Sequence, residues 1–525
     1  MSRHTVVIRV DSGAHIGSGH LVRCLSLATE LKSRGAPVRF VCRALPGHLI
    51  ARAEAAGYPV HRLPAPVAIG AGSHPESAQQ QDAAETLAAL GTEKAGWIVV
   101  DHYGLGAVWQ RQVKPATERL MVIDDLANRP HEADLLLDQN YLGADPCQRY
   151  SQLVAAGCRC LLGPRYALLH SSYRQLRRGL RVRDGILRRI LVFFGAQDPT
   201  ESMTAVVQAL TGPEFAGLAV DAILGCDTQA SARARAVAHG STNITFHENL
   251  ASLAELMASA DLGIGAGGVT TWERACLGLP SVVATIAENQ VPVARALADA
   301  GYIVLAGPAN AMSCESWQRL LRELVNDNPR LTELSRQSYR LTDGFGAARV
   351  ACVMSGPHNA QLRLRAARPD DEWLLLEWAN DPVTRRFSFS HGPITDAEHH
   401  GWFHERLADP NSTMLIGEDA AGLPLGQVRF DSAPAGEEST IHVSVDPAFR
   451  GSGVGTNLVS EAVTAWRARR PRSKVLAEVS ADNIASQRLF LRANFAPTAP
   501  RRPDSLAFEF GAGSMRAADP REKGT

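Results

Sequence analysis

The sequence predicts an α/β protein, with two successive doubly wound parallel sheets followed by a separate, smaller α+β domain. Three observations lead there. Short β-branched runs alternate with Ala/Leu-rich, helix-length stretches over the first two-thirds of the chain, and strands buried on both faces read as continuous apolar runs of this kind. An arginine-rich connector, 173–189, divides those runs into two series. The alternation then stops at Met354-Ser355-Gly356-Pro357-His358-Asn359, a linker composition. Beyond it the pattern becomes a strand, helices, an antiparallel-looking strand series and two more helices, from Leu362 to Phe510.

In chain order, the first series of strands is expected at 5–10, 38–42, 97–100, 120–123 and 135–137. The second is expected at 190–194, 220–224, 244–246, 262–264, 282–284 and 302–305. The implied domains are 1–172 and 173–350 as two halves of one unit, 351–361 as linker, 362–510 as the α+β domain and 511–525 as a frayed tail. The connector arginines, Arg174, Arg177, Arg178, Arg181, Arg183, Arg188 and Arg189, are expected to form a solvated, amphipathic face rather than a phosphate site.

Composition narrows the function. The 525 residues hold 54 Lys+Arg against 54 Asp+Glu, a balance that argues against a nucleic-acid binder, which needs a basic excess. Hydrophobic residues at 45% and charged residues at 21% suit a soluble globular protein, and with aromatics at only 6% the cores must be built mainly from Ala, Leu and Val. No apolar run approaches the roughly 18 residues of a membrane span. Met1-Ser2-Arg3-His4 leads straight into the first strand without a signal-peptide layout, so a cytoplasmic location is expected. The nine cysteines include no C-x-x-C pair, which points to reduced thiols rather than a disulfide or zinc framework.

The first strand runs into Arg9-Val10-Asp11-Ser12-Gly13-Ala14-His15-Ile16-Gly17-Ser18-Gly19-His20, and a helix follows with Leu21, Leu25, Ala28 and Leu31 on one face. Gly17 and Gly19 stand where strand becomes helix and allow close backbone approach to an anion. The third glycine of a dinucleotide fingerprint would fall at Val22, so the motif is something else. In the first helical turn the dipole disfavours imidazolium, which leaves His20 neutral and able to act as a base. Asp11, at the strand's carboxyl end, could orient that ring or a water.

The second series repeats the layout at Gly263-Ile264-Gly265-Ala266-Gly267-Gly268-Val269-Thr270-Thr271-Trp272-Glu273, with a helix expected from about Thr270. Its N-terminus suits a diphosphate, with Thr270 or Thr271 as cap and Glu273 placed for ribose hydroxyls. Glu288, Asn289 and Gln290 follow the next strand, and the turn Phe194-Gly195-Ala196-Gln197-Asp198-Pro199 is expected to line the same cleft.

Taken in order, R-x-D-x-x-x-x-I-G-x-G-H-x-x-R, D-x-Y at Asp101 and Tyr103, F-G-x-x-D-P and G-G-x-T-x-x-E…E-N-Q resemble the nucleotide-sugar hydrolases of pseudaminic acid biosynthesis over about residues 5–345. Those enzymes are GT-B-fold relatives of the peptidoglycan N-acetylglucosaminyltransferase. The resemblance implies a GT-B-like pair of Rossmann-type domains. It implies hydrolysis of UDP-2,4-diacetamido-2,4,6-trideoxy-β-L-altropyranose by water attack at the anomeric carbon, with no metal. His20 would be the catalytic base. The substrate would be bound through Gly17, Gly19, Arg23, Asp101, Tyr103, Gly268, Thr270, Glu273, Asn289 and Gln290, with Glu273 on the nucleotide. Phe194-Gly195-Ala196 stands where many relatives carry two glycines.

The last third offers a second anion cradle, the strand Ile441-His442-Val443-Ser444-Val445 leading through Asp446 to Arg450-Gly451-Ser452-Gly453-Val454-Gly455-Thr456 and a helix. Successive main-chain N–H groups with a helix dipole behind them suit a pyrophosphate, and the sequence lacks the Lys-Ser/Thr of an ATP P-loop. Asn483 opens a capped amphipathic helix further on. The pair resembles the acetyl-CoA motifs of GNAT-type N-acetyltransferases over about residues 361–510. The resemblance implies acetyl-CoA as cosubstrate, Val443 and Val445 pairing with the pantetheine arm, Arg450, Gly451, Gly453, Val454, Gly455 and Thr456 around the pyrophosphate, and Asn483 on the cofactor tail. Trp378-Ala379-Asn380-Asp381-Pro382, Arg385, Ile394, His399 or His400, and Trp402 are similar to amino-sugar acetyltransferases of the same pathway.

Phe490 stands where many relatives have a Tyr that protonates the coenzyme thiolate, and Glu438, His442 and Asp446 are candidate bases. His400 and His404 lie four apart, with His391 and His399 nearby, but a third ligand is not evident from the sequence. Solvated or substrate-facing histidines are therefore expected, and no metal. Together these features predict a bifunctional enzyme that acetylates the 4-amine of a UDP-sugar and then releases UDP from it. The alternatives are a GT-B glycosyltransferase and a nucleotide-sugar sensor carrying a degenerate acetyltransferase. Oligomeric state is not predicted.

Overall fold

Seven parallel strands open the chain: β1 (Val6–Val10), β2 (Val38–Arg43), β3 (Val60–Leu63), β4 (Ala95–Asp101), β5 (Thr117–Ile123), β6 (Leu135–Asp138) and β7 (Arg159–Leu162). They assemble in the order β3-β2-β1-β4-β5-β6-β7. The computed structural model describes residues 5–65, 75–141, 143, 146–195, 201–225, 228–356, 361–433, 437–471 and 473–510. A second parallel sheet follows, from β8 (Arg189–Phe193), β9 (Ala219–Ile223), β10 (Ile244–His247), β11 (Leu262–Ala266), β12 (Ser281–Thr285) and β13 (Val304–Pro308). Its order, β10-β9-β8-β11-β12-β13, repeats the same winding. Each sheet therefore reverses strand order beside its first strand, between β1 and β4 and between β8 and β11, where open α/β sheets hold ligands. This is the doubly wound pair of sheets the sequence predicts.

All the expected strands form, with ends shifted by at most three residues. β3 and β7 are not expected from the sequence. Both lie at sheet edges, and β3 (Val60-His61-Arg62-Leu63) has its two central residues exposed, so neither shows a long apolar run.

The connector behaves differently from the expected solvated face. Arg183 is buried and donates to the carbonyls of Ala260 (3.0 Å), Leu277 (2.5 Å), Gly278 (3.0 Å) and Met257 (3.1 Å). Arg177 donates to the carbonyls of Cys276 and Tyr339, and Arg174 pairs with Glu30. Arg183 and Arg177 satisfy carbonyls left open at the ends of helices 254–259, 270–276 and 328–341. Only part of the run, including Arg178 and Arg188, faces solvent.

The chain divides into two units, Met1–Ala351 and Cys352–Thr525. The second is built on β14 (Arg363–Ala366), β15 (Ser412–Glu418), β16 (Pro424–Ser432), β17 (Glu438–Val445), β18 (Lys474–Ser480), β19 (Ala496–Thr498) and β20 (Ser505–Phe510). Its sheet runs β14-β15-β16-β17-β18-β20-β19, antiparallel except for the β17–β18 pair. Pro357-His358-Asn359 of the linker and the 511–525 tail lie outside the described residues. No helix among the described residues is long and apolar enough to cross a membrane, and the cysteines described are all free thiols.

Candidate functional site

In the first unit, β1 ends at Val10 and delivers Asp11, while β4 ends on Asp101 and delivers His102 and Tyr103 to the same crevice. Gly17, at φ +81°, makes the turn that starts the helix Gly19–Ser33, and His20 lies in its first turn. The buried His20 ring places Nδ1 2.6 Å from Asp101 Oδ1. Arg23, one turn on, grips both oxygens of that carboxylate, Nε to Oδ2 at 2.7 Å and Nη2 to Oδ1 at 2.6 Å. With Nδ1–H donating to Asp101, the imidazole keeps Nε2 as its basic atom. Burial pushes the Asp101 carboxyl up, but the charge of Arg23 and the hydrogen bonds from Arg23 and His20 outweigh it and hold the group well below the usual carboxylate range.

Asp11 does not orient His20; Asp101 does. Asp11 instead accepts from Arg9 (2.5 and 2.9 Å) and from the Arg43 main chain (2.7 Å), with His102 Nε2 at 3.4 Å. Burial raises its pKa, but the charge of Arg9 and the hydrogen bonds from His102 and Arg9 together outweigh it, so it stays ionised. Spacing along the chain favoured Asp11, but the parallel pairing that sets Val10 beside Asp101 puts the β4 carboxylate at the helix start.

Tyr103 links the halves of the unit. Its ring meets His20 edge-on at 4.7 Å between centroids, and its hydroxyl accepts from Asn289 Nδ2 at 3.3 Å. Burial, then the neighbouring charge of Asp125, push its phenol upward, so the hydroxyl stays protonated and bonds to Asp125. Asp125 also takes Arg23 Nη1 at 3.1 Å. Sequence reasoning missed Asp125, since nothing marks which of the adjacent Asp124 and Asp125 faces the crevice. Nearby, a Cβ on Gly19 would sit 3.4 Å from Val269 Cγ2 of the second half, so this glycine marks a close approach. His20, Arg23, Asp101, Tyr103 and Asn289 thus form one connected group.

In the second half, Thr270 is the first residue of helix Thr270–Cys276, whose cap is Val269 without a side-chain bond, so neither threonine caps it. Thr271 is buried and instead accepts from Arg274 Nη2 at 3.3 Å. A Cβ on Gly268 would meet open space, while one on Gly267 would sit 3.4 Å from Gln290 Cβ. Gln290 Oε1 accepts from the Ile286 main chain at 3.0 Å, a loop-holding role. Burial pushes the Glu273 carboxyl up to about 7, against a hydrogen bond from Tyr173 and the charges of Arg274 and Arg52. Tyr173 and Arg52 are further residues missed from the sequence, because both come from distant segments. Gly195 takes φ +107°, and the rest of its turn, Ala196 to Pro199, lies outside the described residues.

The second unit presents a different kind of site. β17 and β18 pair only at Glu438–Lys474, Ser439–Val475 and Thr440–Leu476, although both strands run on to Val445 and Ser480. Beyond Thr440 they splay, so the β17 main chain at Val443 and Val445 keeps its ladder with β16 but has no β18 partner. At the end of β17, Gly451 (φ +75°) and Gly453 (φ +88°) shape the turn into helix Val454–Arg469. A Cβ on Gly455 would come within 2.6 Å of Leu489 Cδ1 and 3.1 Å of Val445 Cγ2. The first-turn N–H groups, including those of Val454, Gly455 and Thr456, lack intrahelical partners by geometry. An open strand edge leading to a glycine-lined helix N-terminus matches an extended arm ending in a diphosphate.

Residues 361–496 match the family model of the acetyltransferase (GNAT) domain. The second unit is a GNAT-type domain. The first unit is homologous to "Spore coat polysaccharide biosynthesis protein SpsG" of Bacillus subtilis, 23% identical over 360 residues, which are 68% of this chain and 99% of that protein. It is also homologous to "UDP-2,4-diacetamido-2,4,6-trideoxy-beta-L-altropyranose hydrolase" of Campylobacter jejuni, 29% identical over 171 residues, 32% of this chain and 53% of that protein. "Uncharacterized protein MJ1062" of Methanocaldococcus jannaschii is 20% identical over 524 residues, covering 96% of this chain and 99% of its own.

Within the GNAT-type domain several predicted side chains are already engaged. Arg450 donates to Asp381 (2.6 Å), Thr384 (3.0 Å) and the Val445 carbonyl (3.3 Å), which ties the glycine turn to helix Pro382–Phe387. Its guanidinium is therefore occupied within the protein. Asn483 caps helix Ile484–Arg492 by accepting from Ser486 N at 3.1 Å, which leaves its amide Nδ2 as the group to meet a cofactor. Phe490 is a core residue against Phe495 and Phe508. Of the candidate bases, Asp446 accepts from Trp378 Nε1 and Ala448 N, and Glu438 pairs with Arg501. His442 is half-exposed, with Nε2 3.2 Å from Asp431.

Proposed function

We propose that the first unit hydrolyses a UDP-sugar of the diacetamido-trideoxyhexose class, and that the GNAT-type domain acetylates the amine of the precursor UDP-sugar from acetyl-CoA. The observation that carries the hydrolase reading is the His20–Asp101 pair at 2.6 Å, set at the point where the strand order reverses. His20 Nε2 takes a proton from water as its oxygen attacks the anomeric carbon, the bond from that carbon to the diphosphate breaks, and UDP leaves. Asp101 holds the ring and stabilises the imidazolium that forms. Glycine turns and main-chain N–H groups on the second half meet the diphosphate, and Glu273 and Asn289 hold the nucleotide-sugar. The similarity to the Campylobacter hydrolase supports the substrate class.

For acetyl transfer, the splayed β17 edge pairs with the pantetheine arm and the Gly451–Thr456 segment receives the pyrophosphate. His442, backed by Asp431, is the base we assign to the amine. With Phe490 in the core, solvent protonates the departing thiolate.

Purified protein given acetyl-CoA and the 4-amino UDP-sugar tests both halves when free thiol and UDP are followed together. Thiol followed by UDP, with water as the acceptor, is the expected result. Thiol without UDP removes the hydrolase. UDP without thiol removes the acetylation, and transfer to an added hydroxyl acceptor would favour a glycosyltransferase.

A further inference from the structure

The GNAT-type domain carries a histidine–carboxylate cluster that the proposed reactions do not use. His400 and His404 lie one turn apart on helix Asp396–Ala408, and Glu372 opens the neighbouring helix Glu372–Asn380. His400 Nδ1 is 3.0 Å from Glu372 Oε1, and His404 Nε2 is 3.3 Å from Glu372 Oε2. One donor atom from each residue falls within 4.8 Å of the others. The carboxylate that was not evident in the sequence comes from a segment 28 residues before His400, brought in by helix–helix packing.

We propose that Glu372, His400 and His404 bind a divalent transition-metal ion of the zinc class. A four-coordinate ion with ligand bonds of about 2.0–2.2 Å sets its donor atoms roughly 3.4 Å apart, close to the 3.0 and 3.3 Å between Glu372 and the two imidazoles. Two imidazoles with one carboxylate suit zinc, cobalt or nickel; calcium and magnesium prefer oxygen-only sets. Glu372 is 7% exposed, and among the described residues its ion pairs are with these two imidazoles and not with Lys or Arg. A buried carboxylate without a fixed cation is costly, and a bound cation removes that cost. The imidazoles are more open, with side-chain exposures of 63% and 43%, so an ion can enter and keep water in its remaining position.

The site would clip helix 372–380 to helix 396–408. Between them, in sequence, lies the segment in which Asp381 and Thr384 hold Arg450 of the glycine turn. Metal binding would therefore stiffen the scaffold beside the cofactor cradle.

The test is equilibrium dialysis of the full chain against zinc alone, with thermal unfolding of the same samples. Wild type is expected to hold one more zinc ion per chain than the His400→Ala/His404→Ala variant, and to show a zinc-dependent rise in Tm that the variant lacks. Glu372→Gln is expected to weaken binding at least about tenfold, as loss of one charged ligand should. Equal zinc stoichiometry in wild type and the double variant overturns the site. If the double variant fails to fold, cobalt-loaded wild type decides the question. Visible bands of four-coordinate cobalt that are displaced by zinc support the site, and a purely six-coordinate aqueous spectrum rejects it.

Discussion

The candidate sites of the two units are built by opposite means. In the first, the chemistry sits on side chains locked in a buried network, His20 on Asp101, Asp101 on Arg23, Arg23 on Asp125. In the second, the candidate site is mostly backbone, an unpaired strand edge and a turn shaped by Gly451, Gly453 and Gly455. A side-chain site is vulnerable to loss of one functional group. A main-chain site tolerates such losses and fails when a Cβ is added.

That contrast can be tested by substitution, starting where the effect should be greatest. His20→Ala is expected to lower kcat for UDP release about 10²–10⁴-fold, the range for loss of a general base. Steady-state UDP release measures it, and an unchanged rate would end the mechanism. Asp101→Asn should lower the rate as well and destabilise the unit by about 3–5 kcal/mol, because Arg23 loses its buried partner. The pH dependence follows from the lowered carboxyl of Asp101. Its stabilisation is fully present above the unfolded value of about 3.9 and is lost as pH falls toward the lower folded value. Urea midpoints of wild type and variant should therefore stay apart from pH 8 to about 4 and converge below.

Smaller effects are expected in the second unit. Gly453→Ala imposes a left-handed conformation on a residue with a Cβ, at a cost of about 1–2 kcal/mol, and should raise KM for acetyl-CoA while leaving UDP release unchanged. A shift in UDP release instead would mean that the units are energetically coupled. The least effect on activity is expected from Phe490→Tyr. Its hydroxyl would enter the Phe495–Phe508 packing, so acetyl transfer should not accelerate and stability should fall by about 1–3 kcal/mol. A large acceleration would show that the ring edge reaches the thiolate.

Most of the fold was legible because a strand buried on both faces reads as a continuous apolar run, as residues 135–137 and 282–284 do. The edge strands β3 and β7 escaped that rule because one side of each meets solvent or loop. The connector arginines misled in the other direction. Charge alone suggests a solvated face, yet helix ends buried in the fold need donors, and Arg183 supplies them. His20, Arg23, Asp101, Tyr103 and Asn289 were found in the sequence through their motifs, whereas Asp125, Tyr173 and Glu372 carry no local mark.

The sequence by itself determined the alternation of strand and helix, the glycines that need positive φ or close approach, and the types of chemical group available. These are local properties, set by backbone sterics and by the periodicity of apolar residues. Only the tertiary structure decided which carboxylate serves which base. Asp11 is nine residues from His20 and pairs with Arg9, while Asp101, eighty-one residues away, closes on the ring at 2.6 Å. Hydrogen bonds depend on distance in space, and parallel pairing of β1 with β4 sets that distance.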